Sequence, residues 1–219
     1  MPTPASPRCN RVTPFGQLEA TPERGRFMGN RSILTAGRSG RMRAWTTQAW
    51  VCCRTDFRGR RVTFDSPRHY TPLFFADEAV ALAAGHRPCA ECRNADYKAF
   101  KAAFRLARGL AEEAPLSAAQ VDRALHDARI RDGRKRTYVA VLGDLPAGAF
   151  LLRPTAPDQA LLLTEGGLRR WAHGGYGPLE NADPEETETV TVLTPAPTVA
   201  VLKAGYRLQN LSEDRRGVG

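Results

Sequence analysis

The sequence predicts an α+β fold: a small Arg-rich N-terminal module, then three helices, then a β-rich C-terminal region. Three observations carry this expectation. Basic charge is concentrated in the first third, apolar residues recur at helical spacing between residues 77 and 130, and short apolar runs separated by glycine turns follow. The chain has 219 residues, 42% of them hydrophobic and 25% charged, an ordinary soluble composition with length enough for a substantial core. No run of about 18 apolar residues is present, so no membrane span is expected. The opening stretch MPTPASPRCNR has no apolar segment after its charges, which argues against a secretory signal and for a cytoplasmic location with reduced thiols.

The elements follow in order. Three prolines and little to bury predict a disordered arm over residues 1–9. From Asn10 to Tyr70 the chain is rich in Gly and Arg with isolated aromatics, and short extended pieces fit best around Arg43–Arg54 and Arg60–Phe64, separated by an Arg58-Gly59 turn. Trp45 and Trp50 read as core of this irregular part. Asp77 to Ala84 predicts a short helix closed by Gly85. Asn94 to Arg108 predicts a longer one, because Tyr97, Phe100, Ala103, Phe104 and Ala107 share one face and Gly109 ends it. A third helix runs from Ser117, which forms a capping box with Gln120, to about Ile130. Beyond the basic loop 129–136, strands are expected at Thr137–Leu142, Ala149–Leu152, Ala160–Thr164, Leu168–Trp171 and Thr189–Leu193. The middle pair flanks Glu165-Gly166-Gly167 as a hairpin, Asn181–Glu188 reads as an acidic loop, and Pro195–Ala204 reads as a closing helix. This divides the chain into an arm over 1–9, a module over 10–110, and a helix plus β-rich region over 117–212, with a single compact domain as the alternative.

The formal charge of +9 is not spread evenly. Residues 1–70 hold 13 basic residues, all arginine, against 4 acidic ones, whereas residues 71–135 hold 11 against 9 and residues 136–219 hold 8 against 10. Codon bias accounts for arginine over lysine but not for the missing acids. A clustered basic surface is what a polyanion selects, because each phosphate contact releases counterions.

Five cysteines are present, at 9, 52, 53, 89 and 92. Cys89-Ala90-Glu91-Cys92 is a Cys-x-x-Cys turn between two predicted helices, and such a turn places two thiolates on one tetrahedral zinc. Adjacent cysteines on a strand point to opposite faces, so Cys52 and Cys53 reach one metal together only across a bend. Cys53 is the preferred ligand of the two. The ligand set expected is Cys52, Cys53, Cys89 and Cys92, with His69, His86 or Cys9 as alternatives to Cys52. Cys52 has a second reading as a small buried hydrophobe.

The stretch from Phe74 to Arg93 carries an aromatic pair, a short Ala-rich helix and Ala83-Ala84-Gly85-His86-Arg87-Pro88-Cys89-Ala90-Glu91-Cys92. It resembles the end of the zinc-binding, methylphosphotriester-accepting domain of the Ada DNA-repair family. The resemblance covers about residues 74–93, and it implies a four-thiolate zinc site that contacts the DNA backbone and a thiolate that accepts a methyl group. The upstream cysteines depart from that pattern, being adjacent where the family spaces them as Cys-x-x-x-Cys, and the family's Pro-Cys-His-Arg methyltransferase signature is absent.

Together these features lead to a zinc-containing, zinc-stapled DNA-binding protein acting in DNA repair or in the recognition of modified DNA, with RNA as an alternative partner and no membrane partner. Arg41, Arg43, Arg54, Arg58, Arg60, Arg61, Arg68, Arg87 and Arg93 are expected to hold phosphates. Two alternatives stand beside this reading. One is an enzyme that processes damaged nucleic acid, with His173 in the glycine-rich Trp171–Gly177 stretch, or Cys53 as nucleophile, as catalytic candidates; Asp65, Asp77 and Glu91 are further carboxylates without a motif. The other is a zinc-stapled module for an acidic protein partner. His126, beside Asp122 and Asp127, reads as a solvated helix residue.

Overall fold

The computed structural model describes residues 6–34, 43–59, 62–64, 69–180 and 187–209. The protein is an α+β mixture of four helices and three sheets among these residues. Five short strands lie among the described residues before residue 76: β1 (Cys9–Val12), β2 (Leu18–Ala20), β3 (Phe27–Asn30), β4 (Val51–Arg54) and β5 (Leu73–Phe75), joined later by β6 (Arg87–Pro88). They make one mixed sheet in the order β2-β1-β5-β3-β4-β6, with β1 parallel to β5 and β4 parallel to β6. The expected arm over 1–9 is corrected at its end, since Cys9 already pairs with Ala20; residues 1–5 lie outside the described residues. Only Val51–Arg54 of the expected Arg43–Arg54 piece is a strand, and residues 62–64 are not one.

The three expected helices are α1 (Glu78–Ala83), α2 (Asn94–Ala107) and α3 (Ala118–Arg129). They follow the first five strands, with β6 between α1 and α2, and do not build an N-terminal helical module, so the protein is richer in β structure than expected. Helix α1 is only six residues long and all six are buried. Its N-cap Asp77 accepts from the Val80 amide at 2.9 Å and from the Tyr176 hydroxyl at 2.7 Å. Its end is a Schellman arrangement: Gly85 N–H donates to the Leu82 carbonyl and His86 N–H to the Ala81 carbonyl. Gly85 sits at φ +88°, and a Cβ there would lie 2.4 Å from Arg129 Cδ, so both conformation and packing demand glycine.

A tight hairpin, β7 (Ile130–Arg131) and β8 (Arg134–Lys135), turns at Asp132 and Gly133, both with positive φ. The C-terminal sheet is antiparallel throughout. It comprises β9 (Tyr138–Val141), β10 (Phe150–Arg153), β11 (Ala156–Thr164), β12 (Gly167–Ala172), β13 (Gly175–Glu180) and β14 (Thr189–Val192), in the order β13-β12-β11-β10-β14-β9. Helix α4 (Ala196–Lys203) closes it. Both sheets send side chains onto α1: Leu73 and Phe75 from one, Phe150, Leu162 and Tyr176 from the other. The alanines of α1 allow this approach from two sides. A second apolar cluster joins Phe100 and Phe104 of α2, Val121 and Leu125 of α3, and Val201 and Leu202 of α4. No helix among the described residues is long and apolar enough to cross a membrane.

Candidate metal centre

Strand β4 lies between β3 and β6, with Cys52 opposite Gly29 and Cys53 opposite Met28. Successive side chains of a strand alternate. Cys52 therefore enters the core with Leu73 and Phe75, fully buried, while Cys53 faces the other way toward Met28 and Cys92. The parallel pairing with β6 delivers the second half of the centre. The Cys89 amide donates to the Cys52 carbonyl at 2.9 Å, and the turn closes when the Arg93 amide donates to the Cys89 carbonyl at 3.1 Å, just before α2 begins. The sulfurs of Cys53, Cys89 and Cys92 all lie within 4.8 Å of one another, a group that could hold a metal ion.

The chain's own donors surround these sulfurs. The Arg54 amide donates to Cys92 Sγ at 3.3 Å. Cys89 is held down to about 5, first by the hydrogen bond the Cys53 thiol donates to it and then by the Cys92 and Glu91 amides in its turn. Cys53 is pushed up by donating that bond and by burial, and Cys92 is pushed up by burial. Within the group the Cys53 thiol thus donates toward the Cys89 sulfur. Cys89 is also the most exposed of the three, whereas Cys53, the expected nucleophile, is buried.

The four-cysteine set is corrected to three, because Cys52 is on the wrong face of β4. Its sulfur accepts from Arg93 Nη1 at 3.4 Å, and burial pushes its thiol up. None of the alternatives to it joins the group among the described residues. Cys9 is exposed on β1, its thiol donating to the Leu18 carbonyl at 3.2 Å. His86 is buried against Phe75 and Trp50, and His69 lies at an exposed position.

The nine arginines divide. Arg41, Arg60, Arg61 and Arg68 lie outside the described residues. Arg43, Arg54 and Arg58 are exposed, Arg54 reaching Asp56 at 3.3 Å and Arg58 lying 4.9 Å over the Phe57 ring. Arg87 and Arg93 do not face solvent, and their expected role on phosphates is corrected. Arg87 forms a bidentate pair with Asp122 at 2.7 and 2.8 Å, and Arg93 bonds Glu78 and Asp96, each at 2.8 Å. Glu78 further accepts from the Tyr206 hydroxyl and the Gln209 amide, both at 2.7 Å, so this network ties the end of the described chain to α1.

A cleft of about 460 Å3 opens beside Cys92. Arg26, Arg54 and the first turn of α2 (Asn94 to Asp96) line it. Arg26 is not distinguishable from its neighbours in sequence; it directly precedes β3, whose pairing with β4 sets it at the cleft beside Cys92. His173, expected as a catalytic candidate in a glycine-rich stretch, lies in a hairpin turn. Ala172 pairs with Gly175, leaving His173 and Gly174 as the turn between β12 and β13, and His173 Nε2 lies 2.8 Å from Glu19 Oε2 of β2. No protein-family model, curated protein or solved structure matches this chain.

Proposed function

We propose that this chain is a zinc-containing DNA-binding protein, acting in DNA repair or in the recognition of modified DNA. The observation that carries the proposal is the three-thiol group with its own amide donors, set beside a cleft lined by Arg26 and Arg54. Zinc suits the donors: a thiolate-rich, borderline-soft set in a closed turn, where Zn–S bonds of about 2.3 Å hold sulfurs about 3.8 Å apart. The sulfurs, already within 4.8 Å, need to draw together by at most about 1 Å to meet that geometry. Cys53, Cys89 and Cys92 would hold the metal as thiolates, and the Arg54, Glu91 and Cys92 amides would stabilise their charge. The resemblance of residues 74–93 to the Ada zinc domain supports the same reading.

Two features support the DNA partner. The acid-poor first third of the chain supplies Arg26, Arg43, Arg54 and Arg58, and the first turn of α2, whose N-cap Arg93 makes no side-chain cap, lines the cleft together with Arg26, Arg54 and Asp56. The test is fluorescence anisotropy with labelled duplexes across a salt series, plain duplex against duplex carrying a methylated phosphate or a modified base. Affinity should fall as salt rises, and Arg54→Ala and Arg58→Ala should each lower the log–log salt slope by about 0.9 while leaving relative preference among sequences alone. Affinity indifferent to salt and to both arginines refutes the reading. Equal affinity for DNA and heparin would move it to a general polyanion module.

A further inference from the structure

The fold gathers arginines that the sequence spreads over residues 108–136, none of them in the thiol group or its cleft. Arg108 closes α2 and Arg123 lies on α3, and both are exposed. The β7–β8 hairpin then folds back onto the end of α3. The Arg136 amide donates to the Arg129 carbonyl at 2.8 Å, and Arg136 Nη1 donates to the Asp127 carbonyl at 3.3 Å. This sets Arg136 with Arg108 and Arg123 around a cleft of about 560 Å3 bordered by α3, β9 and the start of α4. Its partly buried lining is apolar, made by Ala124, Ala128, Tyr138 and Pro197, and Asp127 is the one acid on it. A second cleft, of about 600 Å3, shares Arg136 with the first and is lined by Arg131 and Arg134 of the hairpin.

The charge on this face is not answered from within the protein. Among the described residues no carboxylate comes within ion-pair distance of Arg108, Arg123, Arg134 or Arg136. Arg131 and Arg134 stand directly opposite each other across the hairpin, so their side chains share one face. Like charges so placed destabilise a strand pair, and the two-residue turn at Asp132 and Gly133 fixes that register. Asp132 offsets little of this, since it lies 3.8 Å from Arg131 and both side chains are exposed. Lys135 takes no part, because its Nζ donates to the Ala83 carbonyl at 2.6 Å. The hairpin therefore calls for an anion that carries repeated charges. The first cleft adds a second requirement, an apolar body within reach of three guanidinium groups, and its volume lies within the roughly 300–1,000 Å3 of ligand sites. Single-stranded nucleic acid meets both. Its phosphates recur along the backbone, and its unpaired bases can turn into an apolar recess, whereas a duplex keeps its bases stacked inside.

We propose that this face binds single-stranded nucleic acid, its phosphates held by Arg131, Arg134 and Arg136 and a base seated in the apolar cleft that Tyr138, Arg108 and Arg123 line. The proposal goes beyond the reading above and does not rest on the thiol group. The experiment is fluorescence anisotropy of the whole protein with a labelled oligothymidylate and with a duplex of equal length, each across a salt series. Strand affinity should fall as salt rises, and Arg131→Ser with Arg134→Ser should lower the log–log slope by about 1.4, about 0.7 for each phosphate contact. The same double variant should keep or raise Tm, because it removes a pair of like charges and no partnered group. Tyr138→Leu should weaken strand binding about tenfold and leave the slope alone. Strand binding that needs Arg131 and Arg134 but neither Arg54 nor Arg58 supports this face, even where duplex binding fails and the reading above falls with it. Duplex binding without strand binding overturns this proposal alone. Strand affinity and slope unchanged in the double variant overturn it as well, and so does equal competition by poly-L-glutamate, which would give the face to an acidic protein.

Discussion

Removing Asp122 separates two roles for Arg87 that the sequence alone could not distinguish. Arg87 and Asp122 are 5% and 8% exposed at their side chains and share two hydrogen bonds of 2.7 and 2.8 Å. Truncating one member of such a pair leaves the other charge buried and alone, at a cost of about 3–5 kcal/mol. Asp122→Ala belongs at the upper end of that range, because Asp122 also offsets the charge of Arg129. Replacing both, Arg87→Met with Asp122→Leu, removes the orphaned guanidinium and should recover part of the loss, though not the offset to Arg129. Urea unfolding of the wild type, Arg87→Met, Asp122→Leu and the double variant measures this cycle, with Asp122→Ala measured alongside. DNA affinity of the double variant, measured across a salt series, should keep the wild-type slope, since Arg87 reaches no solvent. The reasoning is refuted by a cost below about 1 kcal/mol for Asp122→Ala, or by a double variant whose salt slope drops by about 0.9, which would place Arg87 on a phosphate.

Further outcomes follow from the same structure. Gly85→Ala should destabilise by about 2–4 kcal/mol in chemical denaturation, combining left-handed strain with displacement of Arg129, whose Cδ lies 2.4 Å from the added Cβ. Lys135 has a folded pKa of about 7, below the about 10.4 of an unfolded lysine, so the unfolded chain binds more protons between those values. Stability should therefore rise with pH across that window, and Lys135→Met should flatten the rise. His173→Ala should cost less than about 1 kcal/mol, because its partner Glu19 is half exposed, and should leave DNA affinity unchanged.

The helices were legible because their signals are local. Tyr97, Phe100, Ala103 and Phe104 form the buried face of α2, and Ser117 and Gln120 make the capping box that starts α3. The strands of the first sheet were not, because they are two to four residues long and find partners far away, as Arg11 of β1 does with Phe74 of β5. Strand β13 was hidden by its glycines, Gly175 and Gly177, which interrupt the apolar pattern where the chain makes a hairpin with β12. For the thiols, the alternation of a strand was enough to separate Cys52 from Cys53. It could not say which of them faces Cys89, because that depends on the parallel pairing of β4 with β6. The burial of Arg87 and Arg93 was equally silent, since their partners Asp122 and Glu78 lie 35 and 15 residues away.

The three-thiol assignment is tested most directly by cobalt(II) titration of the wild type, Cys52→Ala, Cys53→Ser, Cys89→Ser and Cys92→Ser. The readout is the sulfur-to-metal charge-transfer absorption. Wild type and Cys52→Ala should take up one equivalent with the same absorption, and each serine variant should lose about a third of it or fail to bind. An absorption that falls as far in Cys52→Ala as in Cys53→Ser, or no absorption in the wild type, would contradict a centre built on Cys53, Cys89 and Cys92.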